Sequence, residues 1–289
     1  MARLPRFKRS PDIKPLRLTE RDREILHHVH HHRFLRSDHI TALMPGSRQQ
    51  TLRRLQRLYH HGYLERPRCQ IDYYQSGSRR MAYGLGNKGA AWLKRKLALP
   101  YHKLDWIRKN RVGRLFLEHA LLISDVMVAV ELACRQRKDV RLLAPDDSVR
   151  GQWSVTIDRR QKCGVVPDRI FGLEFGGKQC WFFLEADRST MPVTRTELTK
   201  SSFYRKVLAY EATWTQNIHR TRFGWNRFRV LTVTTDSERV QAMVEACQQL
   251  KHGRGLFLFT DVKVLREQSD FFSLLWKTVN AGATSKLLD

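Results

Sequence analysis

Acids are scarce in this 289-residue chain: 28 Asp and Glu stand against 53 Lys and Arg, a formal net charge of +25. Such a field repels copies of itself and attracts polyanions. Paired cysteines are missing too. The five present (Cys69, Cys134, Cys163, Cys180 and Cys247) are odd in number and scattered, with no C-x-x-C. That argues against a zinc ribbon or a disulfide framework and fits reduced thiols in a cytoplasm. No stretch approaches the roughly 18 apolar residues of a membrane span. The basic N-terminus is not followed by the apolar run of a signal peptide. Apolar residues nevertheless make up 42% of the chain, enough for a globular core, and the length suits two domains.

A polyanion partner for a basic soluble chain is first of all nucleic acid, because neutralised phosphates release their counterions. The charge is uneven. Residues 1–110 hold 25 basic and 8 acidic residues, and the remainder holds 28 and 20. The first part reads as a binding device, and the second has the acids a reaction site needs.

After a basic arm (1–18), "LTERDREILHHVHHHRFL" opens with Thr19 as N-cap and Glu20, Asp22 and Glu24 in the first turns. "SDHITALM" gives a second helix. "RQQTLRRLQRLYHHGYL" gives a third, ending at Gly62, with Leu52, Leu55, Leu58 and Tyr59 facing inward. "YLERPRCQIDYY" and "RRMAYGLGNKGAAWL" read as a two-stranded wing and a closing helix from near Asn87. The pattern predicts a winged helix-turn-helix over 19–98 whose third helix enters the major groove of double-stranded DNA. The candidate DNA contacts are Arg48, Gln50, Arg53, Arg54 and Arg57, with Arg79 and Arg80 in the wing. A solvated basic face, or a winged helix that binds protein, is the plainer alternative. The run His27, His28, His30, His31, His32 offers the pair His27/His31 for a metal, and its "HVH" mimics the His-hydrophobic-His motif of tyrosine-dependent nicking enzymes. That motif needs both rings on one side of a strand, whereas residues two apart on a helix point about 200° apart. A partly packed, partly solvated helix is the expectation.

Residues 99–114 read as a connector and 115–289 as an α/β domain. "RLFLEHALLISDVMVAVELACRQR" is a long helix in which His119, Ser124 and Asp125 take packing and solvent positions. "VRLLAP" is a short strand. "CGVVPDRIFGLEF" is a strand that turns through "GGK" into "QCWFFLEA". A helix from about Thr196 to Thr213, the strand "RFRVLTVTT", a helix from Ser237 to about Leu250, the strand "GLFLFT" and a tail helix "SDFFSLLWKTV" follow. Residues i and i+2 of a strand share a face, so Glu185 and Asp187 point together. The Gly176–Gly177 turn brings Asp168 alongside. Carboxylates so close raise one another's pKa unless a cation intervenes. Oxygen ligands select a hard ion, Mg²⁺ or Mn²⁺, which can polarise a phosphodiester and activate water. The plainer reading is ion pairing of these acids with some of the many arginines.

"VVPDRIF", "FFLEADRST" and "TELTKSSFY", in this order, resemble the replication-relaxation family of plasmids and other mobile elements, and the likeness runs from "LTERDREIL" through "AYGLGNKG" to "KSSFY". The resemblance implies a winged helix joined to a PD-(D/E)XK, restriction-endonuclease-like domain, a mixed sheet flanked by helices, as in mobilisation relaxases of this fold. It implies Asp168 and Glu185 as metal ligands and a further acid at Glu118; Asp187, sharing a strand face with Glu185, is the candidate third ligand or base. Where the nuclease pattern has Lys two after the second acid, this chain has Asp187, so Lys200, four before Tyr204, is the candidate for the missing cation. Tyr204 is a candidate phosphate donor or plain core. Two functions follow. One is a metal-dependent endonuclease or nickase serving replication, relaxation or mobilisation. The other is an inactive origin-binding, regulatory or recruitment protein, a homodimer or a partner of replication, conjugation or transposition proteins.

Overall fold

A computed structural model of the chain describes residues 5–11, 13–71, 80–97, 106–146, 149, 152–157 and 161–289. Two compact units divide it, residues 1–128 and 129–289.

The first unit begins with α1 (Glu20–His32). Thr19 caps it: its hydroxyl accepts from the Asp22 N–H, and the Asp22 carboxylate accepts from the Thr19 N–H at 2.8 Å. Ile25, Leu26, Val29 and His32 are buried. Where the sequence predicts more helix, Arg33 turns to φ 67° and Phe34–Arg36 becomes a strand, β1. Three residues show no periodicity of their own; β1 exists because β3 (Ala82–Leu85) pairs with it. Helix α2 (Ser37–Leu43) leads to α3 (Arg48–His60), capped by Ser47, which buries Thr51, Leu55, Leu58 and Tyr59 and leaves Leu52 half-buried. Gly62, at φ 79°, supplies the left-handed turn after α3. β2 (Leu64–Glu65) completes an antiparallel sheet of order β1-β3-β2, and α4 (Asn87–Leu97) follows. The expected wing tip, with Arg79, lies outside the described residues. A short α5 (Trp106–Lys109) precedes α6 (Arg114–Gln136). Leu117, Ala120 and Leu121 pack on Phe34, and the Ser124 hydroxyl donates to the Phe34 carbonyl at 2.7 Å. Asp125 accepts from Arg36 and lies 2.7 Å from His39 Nε2, so this stretch of α6 fastens β1 and α2, in line with a packing role.

The second unit is built on a seven-stranded mixed sheet flanked by helices. Its strands in chain order are β4 (Val140–Leu143), β7 (Arg169–Phe175), β8 (Lys178–Ala186), β9 (Phe228–Thr234), β10 (Phe257–Asp261), β11 (Trp276–Thr278) and β12 (Thr284–Ser285). The spatial order is β12-β11-β10-β9-β8-β7-β4, with β8, β9 and β10 parallel and the outer pairings antiparallel. Gly176 and Gly177, both at positive φ, close the β7–β8 hairpin as the tight two-residue turn demands. A separate hairpin pairs β5 (Trp153–Ile157) with β6 (Gln161–Val165).

The helices are α7 (Phe203–Thr215), the single turn α8 (Ile218–Thr221), α9 (Ser237–Gln248) and α10 (Val262–Glu267). Phe183, Tyr210, Phe223, Trp225 and Phe228 meet in the main core, where Trp181 stacks on Trp225 at 4.5 Å.

Three expectations are corrected. The strand predicted from Cys163 to Phe175 breaks at Val166–Pro167, since proline cannot donate to a ladder, and its first part pairs with β5 instead. The tail predicted as a helix is a turn at Phe271–Ser273 followed by β11, because Leu274 and Trp276 alternate inward between exposed Leu275 and Lys277. The helix predicted from Thr196 starts only at Phe203. Ser202 caps it, and the Phe203 and Tyr204 N–H groups bind the Pro192 and Val193 carbonyls.

Candidate active site

The acids sit where β8 ends and β7 begins. The register Arg169↔Leu184 sets Asp168 beside Glu185. The Asp168 N–H donates to the Leu184 carbonyl at 3.1 Å, and its carboxylate accepts the Ala186 N–H at 2.8 Å, so the side chain is tied to the neighbouring backbone. Glu185 faces α7, on the same side of β8 as Phe183. It is 5% exposed. Lys206 Nζ lies 2.6 Å from its Oε2, and the Tyr210 hydroxyl donates to its Oε1 at 2.5 Å. Lys206 and Tyr210 are four apart on α7 and therefore share a face.

Asp187 belongs to a different network. Arg239 of α9 grips it with two bonds, Nε at 2.8 Å and Nη2 at 3.0 Å. The Thr234 hydroxyl (2.6 Å) and the Ser189 N–H (3.1 Å) complete its shell. Among the described residues, no set of oxygens from Asp168, Glu185 and Asp187 lies mutually within 4.8 Å, so the structure brings together Asp168 and Glu185 and turns Asp187 aside. Lys200 pairs with Glu197 at 3.0 Å on the exposed loop before α7, and the amine at Glu185 is that of Lys206. Tyr204 packs against the core cluster, and it is Tyr210 that reaches the carboxylate. Glu118 is engaged by Arg114 one turn earlier on α6.

The electrostatics follow from burial and these partners. Burial pushes the Glu185 carboxyl up, and the Asp168 charge adds to this, while Lys206 and Tyr210 pull against it. Burial also works against the Lys206 ammonium, but Glu185 and Asp168, with a smaller share from Asp187, outweigh it and hold its pKa above the usual range. The Tyr210 phenol is pushed well above its ordinary value, first by burial and then by Glu185. At neutral pH Lys206 is thus a cation and Tyr210 a neutral donor. Burial would raise Asp187, yet the bonds from Arg239, Thr234 and Ser189 hold it below the usual carboxylate range.

A cavity of about 200 Å³ opens on this cluster, lined among others by Glu185, Lys206, Arg205, Ser201 and Ser202. Arg205 Nε is buried without a hydrogen-bond partner, and among the described residues no carboxylate pairs with its guanidinium. The opening thus presents Glu185, Lys206 and an arginine with no carboxylate partner among the described residues, with Asp168 on the strand beside Glu185. Two hard oxygen donors beside each other suit a divalent cation.

On α3, Arg48, Gln50 and Arg53 are exposed, and Gln50 accepts from Arg21 at 3.1 Å. Arg54 instead pairs with the fully buried Asp22. Arg57 donates to the Pro15 carbonyl at 3.0 Å, and Arg80 is exposed. His27 and His31 lie on the outer side of α1, His27 edge-on to Trp92 at 6.0 Å.

Fold and site together define an α/β protein with an acid–lysine–tyrosine cluster at the end of an inner strand of a mixed sheet. The chain belongs to the replication-relaxation family, whose profile matches residues 26–225. Membership points to a role in the replication or relaxation of mobile elements. The matched span holds Asp168, Glu185, Lys206 and Tyr210, and Arg239 falls outside it. No curated protein and no solved structure matches the chain. Among the described residues, no helix is long and apolar enough to cross a membrane.

Proposed function

We propose that this protein binds duplex DNA through a winged helix in its first unit and nicks it at a restriction-endonuclease-like site in its second. The observation that carries this reading is the buried Glu185, held beside Asp168 and shared by Lys206 and Tyr210, at the mouth of an open cavity. Asp168 and Glu185 would hold Mg²⁺ or Mn²⁺, which supplies Lewis acidity and an activated water when bound. Lys206 takes the part that the sequence suggested for Lys200: its ammonium sits where charge develops on the phosphoryl oxygens or the attacking water. Arg205, with no carboxylate of its own, holds the phosphate. Tyr210 orients Glu185 by donating to Oε1. Arg48, Gln50, Arg53 and Arg80 contact the duplex, whereas Arg54 is engaged in folding.

The test is supercoiled plasmid incubated with Mg²⁺ or with EDTA. Open-circular product should form only with the metal, and Asp168→Asn and Lys206→Met should each slow it by about 10²-fold or more. Nicking that persists in EDTA, or unchanged in Asp168→Asn, overturns the proposal. The second reading is a DNA-binding assembly protein that recruits partners of replication, conjugation or transposition, or a second copy of itself. It is favoured by the closed bonding of this state, where both Glu185 oxygens already have donors and Arg239 holds Asp187. Plasmid binding without nicking at any divalent ion concentration would select it.

A further inference from the structure

The first unit contains a larger cavity that the reading above does not use. Its volume is about 800 Å³, within the range of small-molecule sites. It is lined by the basic arm, the end of α3, the segment after β2 and residues 110–113. Cations dominate its wall. Lys8, Arg68 and Arg111 are exposed and have no carboxylate partner among the described residues, while Arg9 pairs with Glu65, the one acid present.

Arg66 is the unusual member. It is 6% exposed, its guanidinium lies 4.2 Å from the Tyr59 ring centre and 5.2 Å from that of Tyr83, and it donates to the Arg6 carbonyl and the Tyr83 hydroxyl. Among the described residues no carboxylate pairs with its guanidinium, Glu65 being engaged by Arg9, and its Nε is buried without a hydrogen-bond partner. A buried cation with an unused donor is costly unless an anion completes it. Guanidinium groups favour phosphate, which they meet with paired N–H bonds. Phe7 and Val112 add aromatic and apolar wall, against which a flat base can lie. Tyr59 belongs to the buried side of α3, away from exposed Arg48, Gln50 and Arg53.

We propose that this cavity binds a nucleoside phosphate, with Arg66 completing a phosphate oxygen and Arg68, Arg111 and Lys8 balancing its charge. The nucleoside phosphate is either a free nucleotide or the phosphorylated end of a single strand; the chemistry is shared. This does not depend on the second unit cutting DNA.

The full chain is titrated at physiological ionic strength with two probes, mant-ATP and a fluorescent single-stranded oligonucleotide bearing a 5′-phosphate. The expected result is saturable binding of at least one, weakened about tenfold or more in Arg68→Glu/Arg111→Glu, which is ~1.4 kcal/mol or above. Binding of mant-ATP identifies the free nucleotide as a ligand. Binding of the oligonucleotide alone, lost when its 5′-phosphate is removed, identifies the strand end. The control Arg95→Glu/Lys96→Glu carries the same charge change on the exposed part of α4. Equal weakening in that control means a diffuse field rather than a site and overturns the proposal, as does the absence of saturable binding of both probes. Both variants alter exposed side chains, so circular dichroism should match the parent. Arg66→Met, buried and at risk of misfolding, is secondary.

Discussion

Replacing Lys206 by Met tests the central cluster without reference to catalysis. Glu185 is buried, and Lys206 is its charged partner at 2.6 Å. Breaking a fully buried pair costs about 3–5 kcal/mol. Here the Lys206 side chain is 42% exposed, so water screens part of the attraction. Tyr210 also still donates to Oε1. A loss of about 2 kcal/mol is the reasoned value, which for a unit spanning residues 129–289 corresponds to about 4–8 °C in Tm. Tryptophan fluorescence is the suitable probe, because Trp153, Trp181, Trp214, Trp225 and Trp276 all lie in that unit.

The pH dependence sharpens the test. The folded-state pKa of Glu185 is raised above its ordinary value of 4.5. Its contribution to stability is therefore fully present below that value and is lost as pH rises through the folded one. Without Lys206 the folded pKa rises further, so Lys206→Met should melt close to the parent in mild acid and fall progressively behind it toward pH 8. Glu185→Gln/Lys206→Met should recover much of the loss, since no unpaired charge is left behind. If Lys206→Met melts within about 1 °C of the parent throughout, or if the double variant is no better than the single, the coupling inferred from the geometry is wrong.

Other consequences follow from neighbouring pairs. Asp187 is held below its ordinary value of 3.8, so its stabilising effect is present above that value and disappears as pH falls through the folded pKa; acid melts of Asp187→Asn should be flatter than those of the parent below pH 4. Arg54→Met leaves the buried Asp22 carboxylate with only its helix-cap bonds and should destabilise the first unit by about 3 kcal/mol, read by chemical denaturation. Arg53→Ala should change stability by less than about 0.5 kcal/mol while weakening duplex binding in fluorescence anisotropy. Equal stability losses at the two positions would contradict their assignment to core and surface.

The fold was legible in the sequence where burial repeats with a regular period. α3, β8, β9 and β10 fall where apolar spacing sets them, and the Gly176–Gly177 turn fixes the β7–β8 hairpin. The family resemblance carried by the Pro167-Asp168 and Glu185-x-Asp187 segments is borne out by the match over residues 26–225. Legibility failed where tertiary pairing decides. β1 exists through three residues opposite β3, whereas β5 does alternate, with Trp153, Val155 and Ile157 buried between exposed Ser154 and Thr156, a short signal that the sequence reading passed over. The aromatic tail carries enough apolar residues for a helix, and only the open edge of β10 makes it a strand.

The same distinction explains why the pairing of Asp168 with Glu185 was legible and the approach of Lys206 was not. Asp168 and Glu185 meet through strand register, which the hairpin turn announces. Lys200 and Lys206 are both near the start of one helix, and the choice between them depends on where that helix begins. A start at Thr196 sets Lys200 in its first turns. The actual start is delayed because residues 192 and 193 occupy the first N–H groups of α7 with their carbonyls, and Ser202 provides the cap. Once Ser202 is recognised as the cap, Lys206 and Tyr210 fall one turn apart on a single face, and that face is the one turned to Glu185. Asp187, two after Glu185, anchors Arg239 and joins the end of β8 to α9. In the nuclease reading proposed above, the cation that the pattern has at 187 is supplied by Lys206 of α7, which lies against Glu185 and feels the Asp168 charge.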